Sequence, residues 1–384
     1  MAVIELPYGR TPYPLALGRE AAVVLPPTLP AVAVPVAALI DAALAQPVAS
    51  APLASLARAG DRVTVVVSDA TRDEPRAAFL SAIRARVPGV RLTLAVATGT
   101  HGPCDIGRLG LPSELLAGAA IVNHDGHRDD DLVGIGTTRR GTPVRLHRAA
   151  VETDLVVATG CLRPHYFAGF GAGIKAIFPG LGAAREIRIN HQLKREPGSR
   201  AGAVDGNPCR DDLEEAAAML PAPVFLLNGV CGPAGEVRDA VAGDVLLAFR
   251  EGARRAIPWF AVDAPRARVV VASDVLPVTA SLYQASKILA AVAELVEPGG
   301  ATVLVAECAE GIGPVDVVNR AIFELGIAPR LPAGHTVFLV SALSEAEVAP
   351  SYARWAPSVE SVLDAFDGAV TVLPRASQLL VRPS

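Results

Sequence analysis

The sequence predicts an α/β protein built of two α/β domains with mainly parallel sheets and an active-site cleft between them. Three observations carry this expectation. Short apolar runs recur, each followed by turn residues and a helical pattern, the alternation that marks βαβ units. Hydrophobic residues make up 51% of the 384-residue chain while aromatics make up only 4%, which suits strands and Ala-rich helices packed close together. The alternation then restarts after a Pro258–Pro265 junction, which places one domain at 1–260 and a second at 265–384. A chain of this length can bury a core in each.

The elements follow in order. Arg62–Val67 reads as a buried strand and Glu74–Val87 as the helix after it. Arg91–Ala97 and Asp154–Ala158 are further strands, and Ala183–Arg195 is helical. Beyond the junction, Arg268–Ala272, Thr302–Ala306 and Thr336–Val340 read as strands, with helices at about 279–296 and 315–325 between them. No fixed-period repeat and no low-complexity tract interrupts the pattern.

Composition narrows the function classes. The net charge is −4 with the signs interspersed, which argues against nucleic acid as the main partner. No apolar run approaches the roughly 20 residues a membrane span needs, and the N-terminus lacks the basic and apolar regions of a secretory signal. Five cysteines without a Cys-x-x-Cys pair fit reduced thiols, so a cytoplasmic location is expected.

Parallel α/β sheets bind ligands outside the carboxyl ends of their strands, and the unusual residues collect there. Asp69, Thr71 and Arg72 follow the first strand, His101 follows the second, and His165 follows the strand at 154–158. Each histidine alone reads more often as a structural group; two at matching strand ends beside an arginine and a lysine-bearing loop point to a site. The Asn-His-Asp-Gly-His run containing His124 and His127 reads as a turn in which Asn and Asp bond local backbone. Cys104 and Cys161 lie near the rim without an activating base and read as packing residues.

The chain has three lysines against 32 arginines. Lysine is irreplaceable where an amine must lose its proton and act as a nucleophile, or serve as a compact charge. Lys194 sits in a charged helical stretch. Lys175 closes a glycine-rich loop, Gly169-Phe-Gly171-Ala-Gly173-Ile-Lys175, that is neither a dinucleotide fingerprint nor a Walker A sequence. Its glycines, Gly171 and Gly173 included, can bring backbone N–H groups close to a phosphate. His191, on the following helix, could serve as a metal ligand or as a structural group. Tyr283, Gln284 and Lys287 share a helix face and together could hold a small carboxylate, or form an exposed polar stripe.

These segments in this order resemble the nickel-pincer lactate racemase family: Asp69-Ala-Thr71-Arg72, Gly99-Thr-His101, Pro164-His165 through Lys175, Phe178-Pro-Gly180 with His191, and Tyr283-Gln284-x-x-Lys287. The likeness spans roughly residues 5–375. It implies a racemase or epimerase acting at C2 of a 2-hydroxy acid by proton-coupled hydride transfer. Lys175 would carry a nickel-pincer nucleotide, a pyridinium thioamide/thiocarboxylate mononucleotide, in covalent linkage, with His191 as a nickel ligand. His101 and His165 would be alternating general bases; Arg72, Gln284 and Lys287 would hold the substrate carboxylate, beside Tyr283. Asp69, Thr71, Gly171 and Gly173 would seat the cofactor. The implied partners are the small-molecule substrate and, transiently, cofactor-synthesis proteins, so a host without those proteins should yield the apo chain.

The sequence also departs from the family pattern. Asp73 stands where proline commonly follows the arginine, Gly102 where arginine often follows the first histidine, and Gly171-Ala172-Gly173 where Ser-Gly-Gly is usual. The catalytic set is intact but its neighbours differ, which suits a 2-hydroxy acid larger than lactate or shaped differently, with Tyr352 and Trp355 as candidates for lining it. Two other readings remain: a nickel-cofactor-binding homologue without turnover, and an NAD-dependent oxidoreductase.

Overall fold

The structure, a computed structural model, describes residues 3–324 and 326–384. The chain folds into two compact units. One comprises 30–193 and 198–258; the other comprises the residues up to Leu29, a short crossing at 194–197, and 259–384.

The first unit is built on a six-stranded sheet. Its order is Val237–Asp244, Val224–Cys231, Leu155–Leu162, Arg62–Ser68, Arg91–Ala97, Ala120–Asn123. All neighbours run parallel except the outermost pair, Val224–Cys231 with Val237–Asp244. The inner strands are near-continuous β-branched runs, as in Arg-Val-Thr-Val-Val-Val-Ser, because helices and loops cover both sheet faces and leave no solvent side to be polar. Helix Arg76–Arg86 lays Phe79, Leu80 and Ile83 on the sheet, all fully buried.

The second unit has its own six-stranded, all-parallel sheet. The order is Arg354–Trp355, Thr336–Val340, Val296–Val305, Ala267–Ser273, Val370–Leu373, Ala22–Val23. Helix Leu282–Val292 packs on it through Leu282, Ala285, Ile288 and Leu289, and Ser281 caps the helix by accepting a hydrogen bond from the Gln284 amide at 3.4 Å. The Ala22–Val23 strand explains why the first residues leave the domain expected at 1–260: they complete the far edge of the second sheet.

Other differences from the expected elements are local. The strand expected at 154–158 runs on to Leu162, because Val224–Cys231 continues to pair with it through Val230. The helix expected at 183–195 is α-helical over Ala184–Gln192 and tightens into a 3₁₀ turn at Leu193–Arg195. That at 315–325 spans Val315–Glu324, and its expected last residue lies outside the described residues. No helix among the described residues is long and apolar enough to cross a membrane.

Phe79 makes the core testable. Phe79→Ala is expected to destabilise the first unit by about 3–5 kcal/mol, read as a lowered denaturant midpoint.

Candidate active site

Where strand Arg62–Ser68 ends, the chain turns sharply and buries the Asp69 carboxylate. Oδ1 accepts the Thr71 amide at 2.9 Å and the Thr71 hydroxyl; Oδ2 lies 2.8 Å from Nδ1 of His101. Burial pushes this carboxyl upward, but the bonds from Thr71 and His101 outweigh it, so it stays ionised below the usual aspartate range. The turn is clamped from below by Arg76, whose guanidinium donates to the carbonyls of Ser68, Asp69 and Arg72. Sequence reasoning missed Arg76, since nothing distinguishes it from the other arginines until its three carbonyl partners are seen.

His101 sits on a turn after strand Arg91–Ala97. Its amide donates to Thr98 and the neighbouring Gly99 amide donates to Gly180 at 2.9 Å, which ties this turn to the segment after Lys175. About half of the His101 side chain is exposed (52%), while Asp69 behind it is 5% exposed. The carboxylate can only accept, so Nδ1 carries the proton and a neutral His101 presents its lone pair on Nε2.

His165 was expected directly after a strand end. The extension of Leu155–Leu162 places it instead on a two-residue strand, Pro164–His165, that pairs antiparallel with Gly169–Phe170. Its Nδ1 accepts the Ala168 amide at 3.2 Å, and its Nε2 lies 3.3 Å from the Lys175 Nζ. Phe167 stands edge-on to His165 at 4.5 Å and to His191 at 5.0 Å, and Nζ of Lys175 lies 5.3 Å from the same ring. One phenyl ring thus gathers His165, Lys175 and His191.

The glycine loop leads into a 3₁₀ turn, Gly173–Ala176, that carries Lys175. Two glycines are required by close approach. A Cβ on Gly169 would lie 2.0 Å from the Ala203 carbonyl oxygen, and one on Gly173 would lie 2.5 Å from the Phe249 ring, both at positive φ. Ala172 holds φ 58° despite its Cβ, a conformation that costs about 1 kcal/mol or more. The Gly173 amide donates to Asn228 Oδ1 at 2.8 Å, fixing the turn to strand Val224–Cys231.

Beneath the loop lies Arg210, fully buried, with its guanidinium 3.5 Å from the centre of the Phe249 ring and its Nε bonded to Glu214 at 2.9 Å. Its Nη2 has no hydrogen-bond partner. Burial lowers Arg210 to about 10, which leaves it charged at neutral pH. Burial also lowers Lys175 to about 8; Arg210 and Arg72 push it further down and Cys209 opposes them. Arg210 was invisible in the sequence, because only the fold places it under the lysine.

His191 lies near the end of helix Ala184–Gln192. Its Nδ1 is 3.2 Å from Asn190 Oδ1, while Asn190 Nδ2 donates to the buried Asp212 at 2.8 Å. Asp212 also accepts the hydroxyls of Thr138 and Thr142. This chain fixes the orientation of the Asn190 amide, so His191 donates from Nδ1 and a neutral ring carries its lone pair on Nε2. That is the support a metal-binding imidazole needs. Among the described residues no group of three His, Cys, Asp or Glu could hold a metal ion.

The remaining predicted residues belong to the second unit. On helix Leu282–Val292, the Lys287 Nζ donates to Gln284 Oε1 at 2.6 Å, and Tyr283 one residue earlier is exposed. Tyr352 bonds Ser286 of that helix at 3.0 Å, and burial pushes its phenol well above the usual range. The Trp355 indole donates to the Leu343 carbonyl at 2.9 Å.

Of the secondary readings, Asp125 does cap the turn at His127, accepting its amide at 3.0 Å, whereas Asn123 bonds Cys104 and not its own turn. His124 is buried with Nε2 2.9 Å from the Gly182 carbonyl. All five cysteines are free, with Cys161 inside the first unit's core and Cys104 packed against it.

The family profile described as the lactate racemase N-terminal domain matches residues 8–202. The lactate racemase of Thermoanaerobacterium thermosaccharolyticum is 28% identical over 336 residues, covering 79% of each chain. That of Lactiplantibacillus plantarum is 27% identical over 285 residues, or 71% of this chain and 66% of the relative. The solved lactate racemase apoprotein from T. thermosaccharolyticum superposes with a TM-score of 0.87 at 25% identity, covering 99% of this chain and all of that one.

Two outcomes follow from the loop and its lysine. Gly173→Ala is expected to lose about 1–3 kcal/mol through strain and collision with Phe249, measured by thermal unfolding. Lys175 binds fewer protons folded than unfolded between about pH 8 and its ordinary value of 10.5, so its burial costs stability below pH 8 and that cost fades as the pH rises. Lys175→Met should therefore raise the Tm at pH 7, with the gain shrinking toward pH 10.

Proposed function

Because the chain belongs to the lactate racemase family, an isomerase family, we propose that it inverts C2 of a 2-hydroxy acid, with Lys175 carrying a nickel-pincer nucleotide. The observation that carries this reading is the grouping of Lys175, His165 and His191 around Phe167, together with a third histidine, His101, backed by the Asp69 carboxylate. A binding protein without turnover has no use for two such bases, and the loop lacks the glycine spacing of a dinucleotide site.

The residues fit the group. An amine lowered to about 8 is a competent nucleophile near neutral pH. The glycine turn lets backbone approach a phosphate, and the Asn190-oriented His191 offers an imidazole nitrogen to nickel. A metal here would draw its other donors from the nucleotide. When bound, the nucleotide supplies the hydride acceptor that no side chain can provide.

The chain's own residues do the rest. His101 takes the hydroxyl proton on Nε2, and Asp69 stabilises the imidazolium that forms. His165 serves the opposite face in the same capacity. Arg72 binds the substrate carboxylate, while the Lys287 ammonium and the Gln284 amide, in contact at 2.6 Å, form a carboxylate-binding pair on their own helix. A correctly placed base contributes roughly 10²–10⁴ in rate. The departures at Asp73, Gly102 and Gly171-Ala172 favour a substrate other than lactate itself.

The test is intact mass and activity after co-expression with a cofactor-synthesis system and nickel. Added mass of a sulfur-containing mononucleotide on the wild type but not on Lys175→Ala, with racemisation of one member of a 2-hydroxy acid panel, is the expected result. An unmodified wild type, produced by a system proven on another acceptor, would refute the assignment; sustained NADH formation would favour an oxidoreductase. In the loaded enzyme, His101→Ala should slow racemisation by about 10²–10⁴ while leaving the added mass in place.

A further inference from the structure

The two histidines meet opposite partners. His101 faces a carboxylate through Nδ1, at 2.8 Å. His165 receives a backbone N–H at the same ring atom, from Ala168 at 3.2 Å. A carboxylate accepts and an amide N–H donates. Neutral His101 therefore carries its proton on Nδ1, whereas neutral His165 has its lone pair there and its proton on Nε2.

The Nε2 of His165 lies 3.3 Å from the Lys175 Nζ. An Nε2–H pointing at that nitrogen needs an acceptor, and an ammonium offers none. The Ala168 and Lys175 contacts are satisfied together only when Lys175 is a neutral amine accepting from His165. Desolvation and the neighbouring Arg210 and Arg72 lower Lys175 to about 8, so the neutral amine predominates above that pH.

We propose that the two site histidines stand in opposite tautomers, His101 with its lone pair on Nε2 and His165 with its proton there, and that the unmodified amine of Lys175 holds His165 in that form until the lysine is acylated. The first part stands on geometry alone. The second rests on the reading of Lys175 as a covalent attachment point. In acylation, the Nζ lone pair forms a bond to the acyl or thioacyl carbon of an activated donor. The leaving group departs with its bonding pair, and one Nζ proton leaves with it. The (thio)amide nitrogen that remains can donate but no longer accept. It confronts Nε2–H as a second donor, so one of the two contacts that favour that tautomer is lost and only the Ala168 N–H at Nδ1 still supports it. Before loading, only His101 of the pair is set to act as a base through Nε2. Attaching the cofactor thus loosens the hold on the second histidine as well as bringing the hydride acceptor.

The experiment is two-bond ¹H–¹⁵N correlation on histidine-labelled protein without cofactor at pH 9, with His101→Gln and His165→Gln used only for assignment. Expected are a pyrrole-type Nε2 and pyridine-type Nδ1 for His165, and the reverse for His101. Installing Nε-acetyllysine at position 175, or the donor-only Lys175→Arg, should shift His165 toward the His101 pattern while His101 stays unchanged. The same tautomer for both histidines in the unmodified chain would overturn the proposal outright. A His165 pattern indifferent to acetylation and to Lys175→Arg would overturn the role given to Lys175. These readings need no turnover: a loaded enzyme that fails to racemise would remove the functional reading and leave the measured tautomers standing.

Discussion

A guanidinium shut away from water underlies the site. Arg210 is fully buried beneath the glycine turn, stacked on Phe249 and paired with Glu214, which is itself held by Arg250 at 2.8 Å. A buried ion pair of this kind is costly to assemble and costlier to break from one side, so its retention calls for a local reason. The turn above supplies one. Gly173 fits against Phe249 and Arg210 with no room for a side chain, and two residues later the chain delivers Lys175 into the field of that buried charge. Asn207 fastens the same helix to the loop, accepting the Arg210 amide and donating to the Phe167 carbonyl. The position of Lys175, its lowered proton affinity and the placement of the Phe167 ring share this support.

Polar second partners then differentiate residues of one type. Asp69 sets His101, Ala168 sets His165 and Asn190 sets His191, through a carboxylate, a backbone amide and a side-chain amide. Three imidazoles of identical intrinsic chemistry are thereby given two proton arrangements, His101 and His191 with the proton on Nδ1 and His165 with it on Nε2. The assignment of roles lies less in the histidines than in what stands behind each ring.

Much of this was legible in the sequence, and for identifiable reasons. Strands Arg91–Ala97 and Thr336–Val340 were bounded correctly because their apolar runs end in turn residues. The helix carrying Gln284 and Lys287, expected at about 279–296, is found at Leu282–Val292. Strands Val224–Cys231 and Val370–Leu373 went unread, and the first 29 residues were assigned to the wrong neighbour, since strand pairing at long range leaves no mark in local composition. Among candidate site residues, those that look odd in sequence, such as the lysines and histidines, stood out before the fold was known. Arg76 and Arg210 were hidden among 32 arginines, because their significance comes from burial, which the fold confers.

The Ala22–Val23 strand also bears on how such a protein can be taken apart. Each unit draws on separated stretches of chain, so no single cut yields either one whole. A fragment beginning at Trp259 would lack the outermost strand and leave Val370–Leu373 as a bare edge with unpaired amides and carbonyls, a template for aggregation. Anyone transplanting the second unit would have to splice the opening segment onto it or permute the chain. The same interleaving constrains recombination between relatives: a crossover placed at the sequence midpoint would mismatch a strand with its sheet, whereas one that moves both ends together would keep each sheet intact.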